Sequence, residues 1–271
     1  MAPDWLSVTE GAAPLIVSIP HSGTEIPEGI LPRLASAWLA RKDTDWWVDR
    51  LYAFAAGLGA TVVSTRMSRT VADVNRDPSG AVLYPGALNT GLCPTITFDA
   101  EPLYASGAGP SKAEIDARTR EYWAPYHDAL AGQIARLRAK HAAIVLFDAH
   151  SIRSVVPRLF EGSLPDINIG TNGGASCSPE LTQAVAQLCA ATDFSYVVNG
   201  RFKGGYITRH YGDPARGVHG MQIELAMRGY LREPAAPPGP GTWPPPYDAD
   251  FAAPLRGTLA RVLQACVRFV S

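Results

Sequence analysis

The sequence predicts an α/β fold, a three-layer α/β/α domain around a mixed, mostly parallel central sheet. Three observations lead there. Short apolar segments rich in branched residues alternate with longer helical patterns along the chain. Those apolar segments are almost continuously hydrophobic, as strands covered on both faces must be. The chain has 271 residues, 46% of them hydrophobic, enough for one sizeable core, so residues 1–271 are expected to form a single domain.

In chain order, the strand candidates are "LIVSIP" (15–20), "ATVVS" (60–64), "AAIVLFDAH" (142–150), "SYVVNG" (195–200) and "MQIELAM" (221–227). Between them, "DTDWWVDRLYAFAAGL" (43–58), "SKAEIDARTREYWAPYHDALAGQIARLRAKH" (111–141) and "SPELTQAVAQLCAAT" (178–192) have helical spacing, as does a last segment over 251–269. Asp43 or Thr44, Ser111 and Ser178 suit N-caps, because a short side-chain oxygen there satisfies a free backbone N–H. Pro125 should bend or divide the longest helix. The proline-rich stretch 233–247 has the composition of a polyproline ligand, but its place before a final helix favours a surface loop within the domain.

Lys and Arg number 24 against 25 Asp and Glu, a net charge of −1 that gives no general attraction to nucleic acid or an anionic membrane. The opening "MAPDWLSVTEGAAP" has no basic region followed by an apolar stretch, and no run is long enough to span a bilayer. Cys93, Cys177, Cys189 and Cys266 are widely spaced and form no CxxC pair, so reduced structural thiols are expected. A soluble, cytoplasmic monomer or small homo-oligomer follows, acting on a small molecule without nucleic-acid or membrane partners.

His21 directly follows one strand candidate and His150 closes another, which brings two imidazoles to the carboxyl edge of one sheet. Asp148, two residues before His150, can orient an imidazole. A catalytic zinc takes three protein ligands and keeps a position open, so an acid is still needed. Glu25 lies four residues after His21, but Pro20, Gly23 and Pro27 oppose a helix there, and Glu25 is read as a surface residue. "DTDWW" offers Asp43 and Asp45 beside two tryptophans; one caps and the other turns inward, with Asp45 assigned to the metal and the reverse left open.

Gln222 and Glu224 occupy alternate positions of an apolar strand and share a face. A carboxylate buried there must be paired, metal-bound or catalytic, because an unsatisfied buried charge costs several kcal/mol. "SRTVADVNRDP" carries Arg69, Asn75 and Arg76, and "GGYITRHYG" carries Arg209, cations suited to carboxylates. Ser22 and Ser151 each adjoin a histidine, but no G-x-S-x-G elbow supports a serine hydrolase.

"PHSGTEIP", "DTDWWVDRLY", "SRTVADVNRDP", "YWAPYH", "DAHSIRS", "GGYITRHYG" and "QIELAMRGYL", in this order over residues 14–231, resemble the N-formylglutamate amidohydrolase family. The resemblance implies a fold similar to the zinc carboxypeptidases, one zinc ion per chain, and cleavage of N-formyl-L-glutamate to formate and L-glutamate in histidine degradation. It implies His21, an aspartate of "DTDW", assigned here to Asp45, and His150 as metal ligands, and Glu224 as the catalytic carboxylate. It further implies Asn75 and Arg76 as a carboxylate-binding pair. A substrate with two carboxylates needs at least two cationic anchors, for which Arg69, Arg76 and Arg209 are the candidates, with Arg76 or Arg69 suited to the oxyanion. Thr24 stands where the carboxypeptidase pattern His-x-x-Glu has its acid, so the third ligand must come from elsewhere. Two other readings fit the same residues: a zinc hydrolase of this fold acting on another N-acyl amino acid or small peptide, and a non-catalytic anion-binding protein.

Overall fold

The structure, a computed structural model, describes residues 3–81 and 90–271. Seven strands form one sheet: β1 (Leu6–Thr9), β2 (Leu15–Ile19), β3 (Thr61–Thr65), β4 (Ile144–Ile152), β5 (Ile167–Gly170), β6 (Tyr196–Val198) and β7 (Val218–Ala226). Their spatial order is β1-β3-β2-β4-β7-β5-β6. β3, β2, β4 and β7 run parallel to one another, whereas β1 and β5 enter antiparallel to β3 and β7. The mixed, mostly parallel sheet expected from the sequence is the one observed.

The helices are α1 (Leu39–Lys42), α2 (Val48–Leu51), α3 (Lys112–Arg118), α4 (Ala124–Arg138), α5 (Pro179–Ala190), α6 (Tyr206–Tyr211) and α7 (Ala249–Val270). α5 and α7 pack on one face of the sheet, where Leu15, Val17, Val145, Phe147, Met221 and Ile223 meet Leu181, Val185, Leu259 and Leu263. α4 covers the other, where Ile16, Val63, Ile144 and Leu146 meet Tyr126, Leu130 and Leu137. Every residue of β2, β4 and β7 is buried, the reason their hydrophobicity is continuous.

Two N-caps fall where expected: Ser111 Oγ accepts from Glu114 N at 3.3 Å, and Ser178 Oγ accepts from Leu181 N at 3.2 Å. The long helical segment runs from 112 to 138 with a π turn over Thr119–Trp123. Pro125 explains that turn, since it has no N–H to close the regular i to i−4 bond.

The segment 43–58 departs from the single helix expected. It divides into a non-helical stretch after α1, then α2 and a 3₁₀ segment Ala53–Leu58, because Trp47 at φ +62° breaks the helical path before α2. Neither Asp43 nor Thr44 is the N-cap of a helix: Trp47 precedes α2, and Asp43, at the end of α1, accepts from Phe98 N on its Oδ2 at 2.6 Å. β1, β5 and α6 go beyond the elements expected, each being six residues or shorter. The proline-rich stretch is a loop held against the fold: Trp243 Nε1 donates to Lys42 O at 3.0 Å, and Pro245 O accepts from Trp47 Nε1 at 2.9 Å. The four cysteines are buried and unpaired with one another. Among the described residues, no helix is long and apolar enough to cross a membrane.

Candidate metal and active site

Strand alternation builds the floor of the site. Along β4 the odd residues Val145, Phe147 and Ala149 enter one core, so Asp148 and His150 share the opposite face with Ile144 and Leu146. Along β7, Met221, Ile223 and Leu225 enter that first core, which leaves Gln222 and Glu224 beside Asp148 and His150. The parallel register pairs Asp148 with Gln222 and His150 with Glu224. His150 lies inside β4, which continues to Ile152, rather than beyond its end. His21 follows β2 after Pro20 and is tied to the next layer by Asp45 N, which donates to His21 O at 3.0 Å.

His21, Asp45 and His150 converge, each buried, with one ligand atom from each lying within 4.8 Å of the others. The two imidazole rings are 4.8 Å apart between centroids. Each ring is held from behind by a carboxylate: His21 Nε2 lies 2.8 Å from Asp73 Oδ1, and His150 Nε2 lies 2.9 Å from Asp148 Oδ2. This leaves the two Nδ1 atoms facing Asp45. His150 Nδ1 is 3.0 Å from Asp45 Oδ2, and His21 Nδ1, 3.6 Å from the same oxygen, is buried without a hydrogen-bond partner. Two imidazoles, each backed by a carboxylate, and one acid form the donor set of a divalent transition-metal site, and the orphaned Nδ1 is the atom such an ion would satisfy. Of the two acids in "DTDWW", Asp45 joins the cluster, while Asp43 lies with Phe98 N and Arg153.

The electrostatics follow from this packing. Burial alone would raise the Asp45 pKa, but His21 and His150 hold it well below the usual carboxylate range. Burial would likewise raise Asp73, which Arg76, His21 and Arg69 keep far down. Burial would lower His150, yet the Asp148 carboxylate and hydrogen bonds to Asp148 and Asp45 hold it well above the ordinary histidine value. Glu224 behaves oppositely: burial pushes it up to about 8, His150 and Arg69 offsetting only part. Its Oε2 accepts from Gln222 Nε2 at 3.1 Å, and it forms no ion pair among the described residues.

A cleft opens over this floor, lined by His21, His150 and Glu224 at its base, with Arg69, Arg76, Arg158 and Arg201 among its walls. Arg69 donates to Asp73 Oδ2 at 2.7 Å, reaches Asp45 Oδ1 at 3.5 Å and sits over the Phe98 ring. Arg76 donates to Thr90 O, Thr90 Oγ1 and Asn75 O. Asn75 Nδ2 donates to Asp148 Oδ2 at 3.2 Å and lies 2.9 Å from His150 Nε2, while its Oδ1 accepts from Ile207 N at 2.8 Å. Its amide is thus committed to orienting the histidine and α6.

Arg209, a candidate substrate anchor, sits on α6, and its Nε donates to Gly204 O at 2.9 Å. Glu25 is exposed and pairs with Arg66 at 2.8 Å, as a surface residue should. Ser151 Oγ accepts from Tyr230 Oη at 2.7 Å, and neither Ser151 nor Ser22 hydrogen-bonds a histidine among the described residues. His127 packs behind the site, its Nε2 2.7 Å from Val74 O, and burial lowers its pKa to about 4. Phe98, Arg158 and Arg201, all in the cleft, carry no spacing or motif that would have singled them out, and the support of His21 by Asp73 depends on a contact 52 positions apart.

The family model for N-formylglutamate amidohydrolase matches residues 13–231. An N-formylglutamate deformylase of Pseudomonas putida is 44% identical over 261 residues, covering 96% of this chain and 94% of that protein. One of Pseudomonas aeruginosa is 45% identical, covering 96% and 95%. The crystal structure of an N-formylglutamate amidohydrolase from Ralstonia eutropha superposes with a TM-score of 0.80 at 26% identity, covering 100% of this chain and 98% of that one. A gene product of Agrobacterium tumefaciens shares the fold, with a TM-score of 0.72 at 19% identity and coverage of 99% and 97%.

Proposed function

Because the chain belongs to the N-formylglutamate amidohydrolase family, we propose that it hydrolyses N-formyl-L-glutamate to formate and L-glutamate, using one zinc ion, as a step in histidine degradation. The observation that carries this reading is the convergence of His21, Asp45 and His150 beside a buried Glu224 in an arginine-walled cleft.

His21 Nδ1, His150 Nδ1 and the Asp45 carboxylate would hold the zinc. When bound, zinc supplies Lewis acidity, which acidifies a water and polarises a carbonyl. Asp73 and Asp148 keep the proton of each imidazole on Nε2, so that both Nδ1 lone pairs point inward. Glu224 accepts the proton of the water that attacks the formyl carbon and returns it to the amide nitrogen as the C–N bond breaks. A carboxyl whose burial favours the protonated form suits both halves of that transfer. Arg69, anchored by Asp73 and Asp45, is placed to stabilise the oxyanion. Arg76, fixed beside Asn75, takes the α-carboxylate next to the scissile amide.

The test is hydrolysis of N-formylglutamate before chelation, after chelation and after return of zinc, with formate and free glutamate both quantified. Activity lost and regained with the metal supports the reading. Equal turnover throughout overturns the metal role, and release of a different acid from a different N-acyl amino acid overturns the substrate.

A further inference from the structure

We infer that Arg158 is the specificity-determining residue of the cleft, pairing with the side-chain carboxylate of a dicarboxylic N-formyl amino acid. This rests on the proposed deformylase activity and names a residue that reads the substrate's second charge.

Four arginines line the cleft, and they differ in what they already hold. Arg69 is committed to Asp73 and Asp45. Arg76 is fixed to Thr90 and to Asn75 O, with Asp73 Oδ2 3.8 Å from its Nη2. Arg201 donates its Nε to Leu159 O at 2.8 Å and stacks on Phe202. Arg158 is half-buried, and no hydrogen bond or ion pair engages its guanidinium among the described residues. A cation kept partly from water with no anion of its own is costly, and a carboxylate ligand supplies what it lacks.

The surrounding turn presents Arg158 in a defined place. Leu159 N donates to Val156 O at 2.8 Å, Leu159 O accepts from Arg201, and Leu164 N donates to Ser154 O at 2.9 Å. The residues flanking the guanidinium are therefore tied down on both sides while the side chain itself is left for a ligand.

The chemistry of the substrate decides which carboxylate goes there. The α-carboxylate sits on the carbon bonded to the amide nitrogen, so it must stay near the reacting centre, where Asn75 touches His150 and Arg76 adjoins Asn75. The side-chain carboxylate lies two methylenes further out. Ile152, Leu159 and Phe202 line the same cleft and offer apolar contact for those methylenes, and Arg158 adjoins Leu159 in the chain. A guanidinium that the bound substrate shields from water discriminates strongly, because a neutral analogue leaves it unpaired once that water has been excluded.

The experiment measures kcat/KM of the zinc-loaded enzyme for N-formylglutamate and for N-formylglutamine, an isosteric neutral analogue, in wild type, Arg158→Met and Arg158→Lys. Wild type should prefer the acid, and Arg158→Met should lose on the order of 100-fold on N-formylglutamate and only a few-fold on N-formylglutamine. Arg158→Lys should recover part of the preference, since it restores charge without the planar fork. Calorimetric binding of L-glutamate and L-glutamine to the same proteins should show the same collapse of selectivity, independently of turnover. An active wild type whose preference survives in Arg158→Met overturns this inference alone. A wild type inactive on N-formylglutamate with zinc bound overturns the deformylase reading and this inference with it.

Discussion

His21 owes its open nitrogen to Asp73. With Asp73 Oδ1 2.8 Å from Nε2, the ring is fixed in orientation and tautomer, and Nδ1 is left facing Asp45. Asp73→Asn should therefore weaken zinc binding about 10- to 100-fold, measured by competition with a chromogenic chelator, because a neutral amide accepts that N–H more weakly and no longer raises the basicity of Nδ1. Glu224→Gln should leave zinc content unchanged and lower kcat by about 100-fold or more; a variant with normal turnover and bound zinc would remove Glu224 from proton transfer. The same substitution has a signature in metal-free protein. The Glu224 pKa is raised from 4.5 to about 8 in the folded chain, so the folded state binds the proton more tightly than the unfolded state. The contribution of this carboxyl to stability is thus fully present below about 4.5 and is lost as pH rises through about 8. Asp45, Asp148, His150 and Arg69 face this carboxyl and modulate its charge without reversing the direction. In chelator, the Tm difference between Glu224→Gln and wild type should move in the variant's favour from pH 5.5 to pH 8.5. A difference constant with pH would contradict the burial argument.

At the scale of elements, the site joins the ends of β2, β4 and β7 to the segment 73–76 and to the start of α6. Gly205 shows how closely the last two meet: a Cβ there would lie 2.3 Å from Asn75 Nδ2, while Gly205 N donates to Gln222 Oε1 at 2.7 Å. Gly205→Ala should push the Asn75 amide from His150 and Asp148, costing about 1 to 3 kcal/mol of stability as overpacking does. Activity should fall with it, and thermal unfolding with steady-state rates on the same preparation checks both. The strands were legible in the sequence because branched, doubly buried runs such as "IVLFDAH" leave few alternatives, and their alternation placed Glu224 and Gln222 on one face. β1 and β5 were not, since four-residue strands carry too little periodicity to stand out. The break at Trp47 was hidden as well, for a left-handed tryptophan is set by tertiary packing and not by local propensity. Within the site, His21 was visible just after an apolar strand and His150 and Glu224 as polar residues inside apolar strands, whereas Arg158 and Asp73's hold on His21 depend on distant segments meeting.

For the whole molecule, folding brings His21, Asp45 and His150 together, so an ion bound by them would be linked to the fold. Zinc at 100 times its dissociation constant should stabilise the chain by about 2.7 kcal/mol, read as a rise in Tm over the chelated protein. The increment should shrink as pH falls, because His150, held in its protonated form by Asp148 and Asp45, must release a proton to a metal. Calorimetry in buffers of different ionisation enthalpy measures that proton directly, and zinc binding without proton release would contradict the raised pKa.

The register that sets His150 opposite Glu224 belongs to the longest ladder of the sheet, while Arg158 stands on a connection between two strands. Reactivity and selectivity are thereby lodged in separable parts of one chain. Exchanging the 153–164 connection for one bearing other side chains should redirect which N-formyl amino acid is accepted, with the hydrolytic machinery inherited unaltered.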